Sequence, residues 1–123
     1  MGLMMGERSS VQVVATAYFR NNLRALAKRY RSIRKDVEPV LEQLAIGKVL
    51  GDQVPGVGYP VYKVRVPNRD SQRGKRGGYR LLYYLQTETS VLLITIYSKS
   101  DQGDIAAATI GEIIAEYQAS AKE

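Results

Sequence analysis

The chain has 123 residues, 45% of them hydrophobic and 24% charged, with a net charge of +6 and a pI of about 9.7. That bounds it to one domain of ordinary globular composition, whose partner is expected to be a nucleic acid, an acidic protein or an anionic surface. Cys and His are both absent, which excludes disulfides, thiolate metal sites, a Cys nucleophile, the commonest metal ligand and the side chain that ordinarily titrates near neutrality.

Residues 1–10 are predicted to be a flexible tail on a single domain spanning 1–123. The apolar start is interrupted by Glu7 and Arg8, too early for a secretion signal, and Gly6 breaks the myristoylation pattern. No apolar run approaches the ~18 residues of a membrane span. The expected location is the cytoplasm, with no membrane partner.

Val11–Thr16 is β-branched enough for a short strand, expected at a sheet edge. Phe19, Leu23, Leu26, Ala27 and Tyr30 then recur on one face of a helix, with Arg20, Arg24, Lys28 and Arg31 on the other as a solvated stripe. Ile33, Val37, Val40, Leu41 and Leu44 mark a second helix that contains Pro39. Proline costs about 3 kcal/mol in a helix interior. The helix is therefore expected to start with Asp36 as its N-cap; Ser32 is the alternative cap, with a kink as the consequence. Gly47 should end it as the C′ residue. A short connection makes the two helices an antiparallel hairpin.

Gly47 to Pro60 reads as a loop. Gly51 and Gly56 have the spacing of a phosphate-binding loop, but Val57 and Gly58 stand where Lys and Ser or Thr are required. These are turn glycines.

Three consecutive strands follow. In Val61–Val66, Lys63 and Arg65 share one face while Tyr62, Val64 and Val66 share the other. The apolar face should lie under the helical hairpin and the basic face away from it. The connection from Pro67 to Gly77 carries Arg69, Arg73, Lys75 and Arg76, read as RNA-binding cations. Tyr79–Gln86 is mostly apolar and hence central, Thr87–Ser90 is a hairpin turn, and Val91–Ser98 is a buried strand leading to Lys99. Asp104–Ala119 is predicted as a helix capped by Asp104, with Ile105, Ile110, Ile113, Ile114 and Tyr117 as its apolar side. The order predicts an α+β domain: a small antiparallel sheet, an N-terminal helical hairpin on one face and a C-terminal helix.

From Lys63 to Lys99 there are eight Lys or Arg, opposed only by Asp70 and Glu88. Lys63, Arg65, Arg80, Tyr97 and Lys99 can converge on one sheet face, a patch suited to a few nucleotides. Alternation of this kind is also what a solvated strand face shows, with Arg80 as an ordinary ion-pair partner. Cleavage of RNA through its own 2′-OH requires a proton acceptor, a stabiliser of the phosphorane charge and a proton donor. Lys63 is the candidate acceptor, its neutral amine favoured by the surrounding cations. Arg65 and Arg80 are the candidate stabilisers. Tyr97 or Lys99 is the candidate acid, with Tyr97 also a possible stacking platform for a base.

The stretches GDQVPGVG, VYKVRV, RGKRGGYRLLYYL and LLITIYSKSDQGDI, and the element order around them, resemble the RelE/ParE superfamily of type II toxins, most closely its HigB-like branch. The resemblance runs from Val13 to Tyr117. It implies a RelE-like fold and an mRNA interferase, a toxin of a toxin–antitoxin system. Such a toxin enters the ribosomal A site, cleaves translated mRNA without metal or cofactor, and is neutralised by an antitoxin protein. The family's basic strand pair falls on Lys63 and Arg65, and its strand-borne arginine on Arg80. Ser100 and Ala106 stand where RelE carries an Arg and a Tyr, so Tyr97 and Lys99 would have to substitute. Members of the ParE-like branch inhibit DNA gyrase instead, and an inactive nucleic-acid- or antitoxin-binding module is a third reading.

Overall fold

A computed structural model describes residues 11–69 and 78–121. The elements are β1 (Gln12–Ala15), α1 (Ala17–Arg29), α2 (Ile33–Ala45), β2 (Asp52–Gln53), β3 (Val61–Val66), β4 (Tyr79–Thr87), β5 (Ser90–Ser98) and α3 (Ala107–Ala121). They form an α+β domain around one five-stranded sheet of order β1-β5-β4-β3-β2. β3, β4 and β5 make an antiparallel meander, as expected, and β2 adds to it antiparallel. β1 lies at the edge but runs parallel to β5, so the sheet is mixed rather than purely antiparallel.

The helices begin where local hydrogen bonding allows. The Thr16 hydroxyl accepts from the Phe19 N–H at 2.9 Å and donates to the Ile94 carbonyl at 2.8 Å. One side chain thus caps α1 and fastens it to β5 at the point where β1 ends, in the region where a register shift interrupts the β4–β5 pairing. α2 starts at Ile33, not at Asp36. Asp36 is instead buried within the first turn, where its Oδ2 accepts from the Arg69 backbone N–H at 3.1 Å and its Oδ1 lies 3.3 Å from Arg69 Nε. Pro39 is accommodated inside the helix on its exposed side, where water can reach the carbonyl one turn back. Gly47 stands just past the end of α2 with φ of +96°, and its N–H bonds to Leu44 O, as the sequence indicated.

Alternation in β3 puts Val64 and Val66 on one side of the sheet with Tyr79, Leu81, Tyr83, Val91, Leu93 and Ile96. Phe19 and Leu26 of α1 and Ile33, Val37 and Leu44 of α2 pack there. Burying each such side chain is worth about 1.5–3 kcal/mol. Tyr62 stacks on Tyr83 across the strands at 5.5 Å, and the Tyr83 hydroxyl bonds to both N and O of Leu50, which ties the β2 segment to the core.

The opposite face has its own core. Val61, Leu82, Ile94 and Tyr97 pack under Ile110, Ile113 and Ile114 of α3, flanked by Val54, Val57 and Tyr59. This explains why every residue of β5 from Val91 to Ser98 is buried. A strand covered on both sides has no polar face to show. α3 covers only part of the sheet, and Lys63, Arg65 and Arg80 occupy the remainder. As predicted, these three lie on the face opposite the helical hairpin.

Candidate functional site

The register fixes the site. Arg65, Arg80 and Tyr97 are successive Cα partners across β3, β4 and β5, so their side chains leave the same face in one row. Lys63 is two residues along β3 on that face, opposite Leu82. Lys99 follows β5, and its N–H bonds to Gly78 O at 3.0 Å, which carries the strand pairing one step further. Gly51 stands behind Lys63: its φ is +83°, and a Cβ there would lie only 2.2 Å from the Lys63 carbonyl oxygen. The loop glycine that superficially suggested a phosphate cradle is therefore needed for close backbone approach to β3.

Three of the five candidates meet at one atom. Asp104 Oδ1 is 3.0 Å from Lys63 Nζ, 3.7 Å from Lys99 Nζ and 3.4 Å from the Tyr97 hydroxyl, which donates to it. The Lys63 hydrogen bond, then the charges of Lys63 and Lys99, hold the Asp104 carboxyl below its ordinary value. Tyr97 is pushed above its ordinary value, first by burial and then by the charge of Asp104. Its hydroxyl is thus held in the protonated form.

Several expectations change here. Asp104 does not cap a helix; α3 begins at Ala107, and Asp104 turns back into the cation cluster. Lys63 is not surrounded by cations alone. It is paired with a carboxylate, and an ammonium so placed is a hydrogen-bond donor with no lone pair to accept a proton. Tyr97 is not a stacking platform. It is 4% exposed, its ring packed with the isoleucines of α3, and only its hydroxyl faces the site.

Arg65 is exposed and Arg80 half-buried, and no carboxylate among the described residues pairs with either. Arg80 donates to the neighbouring Tyr79 carbonyl at 3.3 Å. The reading of Arg80 as an ordinary ion-pair partner finds no acid there. Arg69 lies apart, paired to Asp36 of α2. Arg73, Lys75 and Arg76 fall outside the described residues. Ser100 is exposed and shares a 3.0 Å hydrogen bond with Ser98, while Ala106 is exposed just before α3.

Two residues of the segment between β5 and α3 have roles that their local sequence does not show. Asp101 forms a 2.7 Å ion pair with Arg29 of α1 and so pins the start of this segment. Asp104 carries no local signal of its role, because an Asp ahead of a helix reads as a cap. Among the described residues, no three or more Cys, His, Asp or Glu side chains gather as a metal-binding group. No helix among them is long and apolar enough to cross a membrane. No known protein-family model matches the chain.

Proposed function

We propose that this chain is a RelE-like toxin of the HigB-like kind: a metal-independent endoribonuclease that cuts mRNA in the ribosomal A site and is silenced by an antitoxin protein. The observation that carries the reading is the row Arg65–Arg80–Tyr97 with Lys63 and Lys99 beside it, on the part of the sheet that α3 leaves uncovered. Two guanidinium groups on rigid strands, with no carboxylate paired to them among the described residues, are suited to the charge of a phosphorane, which an in-line attack by the 2′-oxygen creates.

In this scheme the 2′-oxygen bonds to phosphorus, the P–O5′ bond breaks, and the products are a 2′,3′-cyclic phosphate and a free 5′-hydroxyl. Arg65 and Arg80 stabilise the pentacoordinate state. Tyr97 or Lys99 gives its proton to the departing 5′-oxygen. Lys63 takes the proton of the 2′-OH, and can do so only after Asp104 has left it and its amine is neutral. The fold order, the quoted motifs and this row all support the toxin reading.

The test is to induce the chain alone in cells and map the ends of their mRNA. The expected result is cuts within translated regions, carrying 2′,3′-cyclic phosphate ends and lost in Arg80→Ala. Gyrase-linked DNA breaks with intact mRNA would replace this reading by the ParE-like one.

A further inference from the structure

We infer that Asp104 is a built-in occupant of the substrate's phosphate site, an internal anion that a phosphate must displace before the cations can act on it. The inference rests on the proposed reading of this face as a phosphate-binding surface, but not on cleavage.

One oxygen, Asp104 Oδ1, gathers the Lys63 ammonium, the Lys99 ammonium and the Tyr97 hydroxyl. Three donors of this kind converging on one anionic oxygen form an anion site, and a non-bridging phosphate oxygen has the same charge and acceptor character as the carboxylate oxygen. The row Arg65–Arg80 lies beside this site on the same face, with no carboxylate of its own among the described residues. Asp104 thus covers the lysine half of the cluster and leaves the arginine half open.

Asp104 is also mounted so that it can leave. Its side chain is 62% exposed, so packing does not hold it. The segment is anchored before it by the Arg29–Asp101 ion pair and the Asp101 N–H to Ser98 O bond. It is anchored after it by half-buried Ile105, which packs against the second core. Between the anchors, Gly103 has open space where a Cβ would stand. An exposed ion pair contributes little in water, so a phosphodiester with its full negative charge can take the place of the carboxylate.

The experiment measures binding of inorganic phosphate, and of a single-stranded oligonucleotide whose 2′-deoxy sugars prevent cleavage, to the wild type, Asp104→Asn and Asp104→Ala. Both variants should bind both probes about two- to fivefold more tightly, the fold-change corresponding to loss of an exposed ion pair. The gain should vanish when Lys63→Ala and Lys99→Ala are also present, because the site Asp104 occupied no longer exists. Glu88→Gln, which changes net charge equally at the β4–β5 turn, should give no such gain. Unchanged or weaker binding by both Asp104 variants overturns the inference, as does a gain that persists without Lys63 and Lys99. If the Asp104 variants do not gain affinity while Arg80→Ala still abolishes mRNA cleavage, the inference falls and the ribonuclease reading stands. If they gain affinity and no mRNA is cut by the wild type, the phosphate site stands and the ribonuclease reading falls.

Discussion

Arg65 and Arg80 are directly opposite partners on β3 and β4, two like charges facing each other across one step of the sheet. Such a pair weakens a sheet, where an opposite-charge pair would add roughly 0.2–1 kcal/mol. No carboxylate among the described residues relieves it. An arrangement that costs stability and faces an open surface is what an anion-binding function requires.

Arg80→Ala should therefore separate activity from stability. Removing one cation from a phosphorane site costs about two orders of magnitude in rate, by analogy with a lost oxyanion donor. Unfolding free energy should move by no more than about 0.5 kcal/mol, because relief of repulsion offsets the lost contacts. Urea unfolding and mRNA cleavage on ribosomes check the two halves. Arg24→Ala, on the exposed face of α1, should change neither.

Much of this geometry was legible in the sequence. The alternation of Tyr62, Val64 and Val66 against Lys63 and Arg65 oriented β3 correctly, and the 3.6-residue spacing picked the buried sides of all three helices. What was missed involves partners distant in sequence. Asp104 lies 41 residues from Lys63 and Asp36 lies 33 from Arg69, and nothing local distinguishes either aspartate from a helix cap. The parallel direction of β1 is likewise absent from its own residues. Burial of Tyr97 had a signal, the unbroken apolar run of β5, which implies cover on both faces and hence a packed ring.

Asp36→Ala should destabilise the fold while leaving the site alone. The carboxylate is buried and holds the Arg69 backbone N–H just past the end of β3, so its loss leaves that donor without its partner and removes the ion pair to the Arg69 side chain. A charge-assisted hydrogen bond of this kind is worth about 1.5–3 kcal/mol, at the lower end here because the Arg69 side chain is exposed. A denaturation midpoint equal to wild type would contradict this account.

Gly51→Ala should act on the site through the backbone. A Cβ at Gly51 would collide with the Lys63 carbonyl, and the φ of +83° disfavours any L side chain. β2 must then pull away from β3, at a cost of about 1–3 kcal/mol. Faster amide exchange at Lys63, whose backbone faces β2, with Val64 and β5 still protected by the β4 side of the sheet, is the expected signature. Uniform protection across the sheet would show that the contact is dispensable.

Two titrations report on the cluster with opposite signs. The folded pKa of Asp104 lies below its unfolded value, so the stability it contributes is present above that value and is lost as pH falls through the lower, folded one. Tyr97 has its folded pKa raised, so its contribution is present below the ordinary tyrosine value and is lost as pH rises through the folded one. Asp104→Asn should lower the Tyr97 pKa by removing the adjacent charge, but burial, the larger cause, should keep it above the ordinary 10.0. Ultraviolet titration of tyrosinate in both proteins measures this. A Tyr97 that ionises identically in both would place Asp104 out of contact in solution.

Binding of single-stranded RNA should be governed by phosphate neutralisation. If about four phosphates meet cations on the open face, the slope of log affinity against log salt is roughly −3, from about −0.7 per phosphate for a single strand. Lys63→Ala removes one such cation and should reduce the slope to about −2, with the loss of affinity the same for every RNA sequence, since a phosphate contact carries no base information. Arg69→Ala should leave the slope nearly unchanged, because Arg69 is engaged with Asp36 and stands apart from the row. A flat salt dependence in the wild type would mean that this face recognises a protein through shape and apolar contact, and would favour an inhibitor of an enzyme over a ribonuclease.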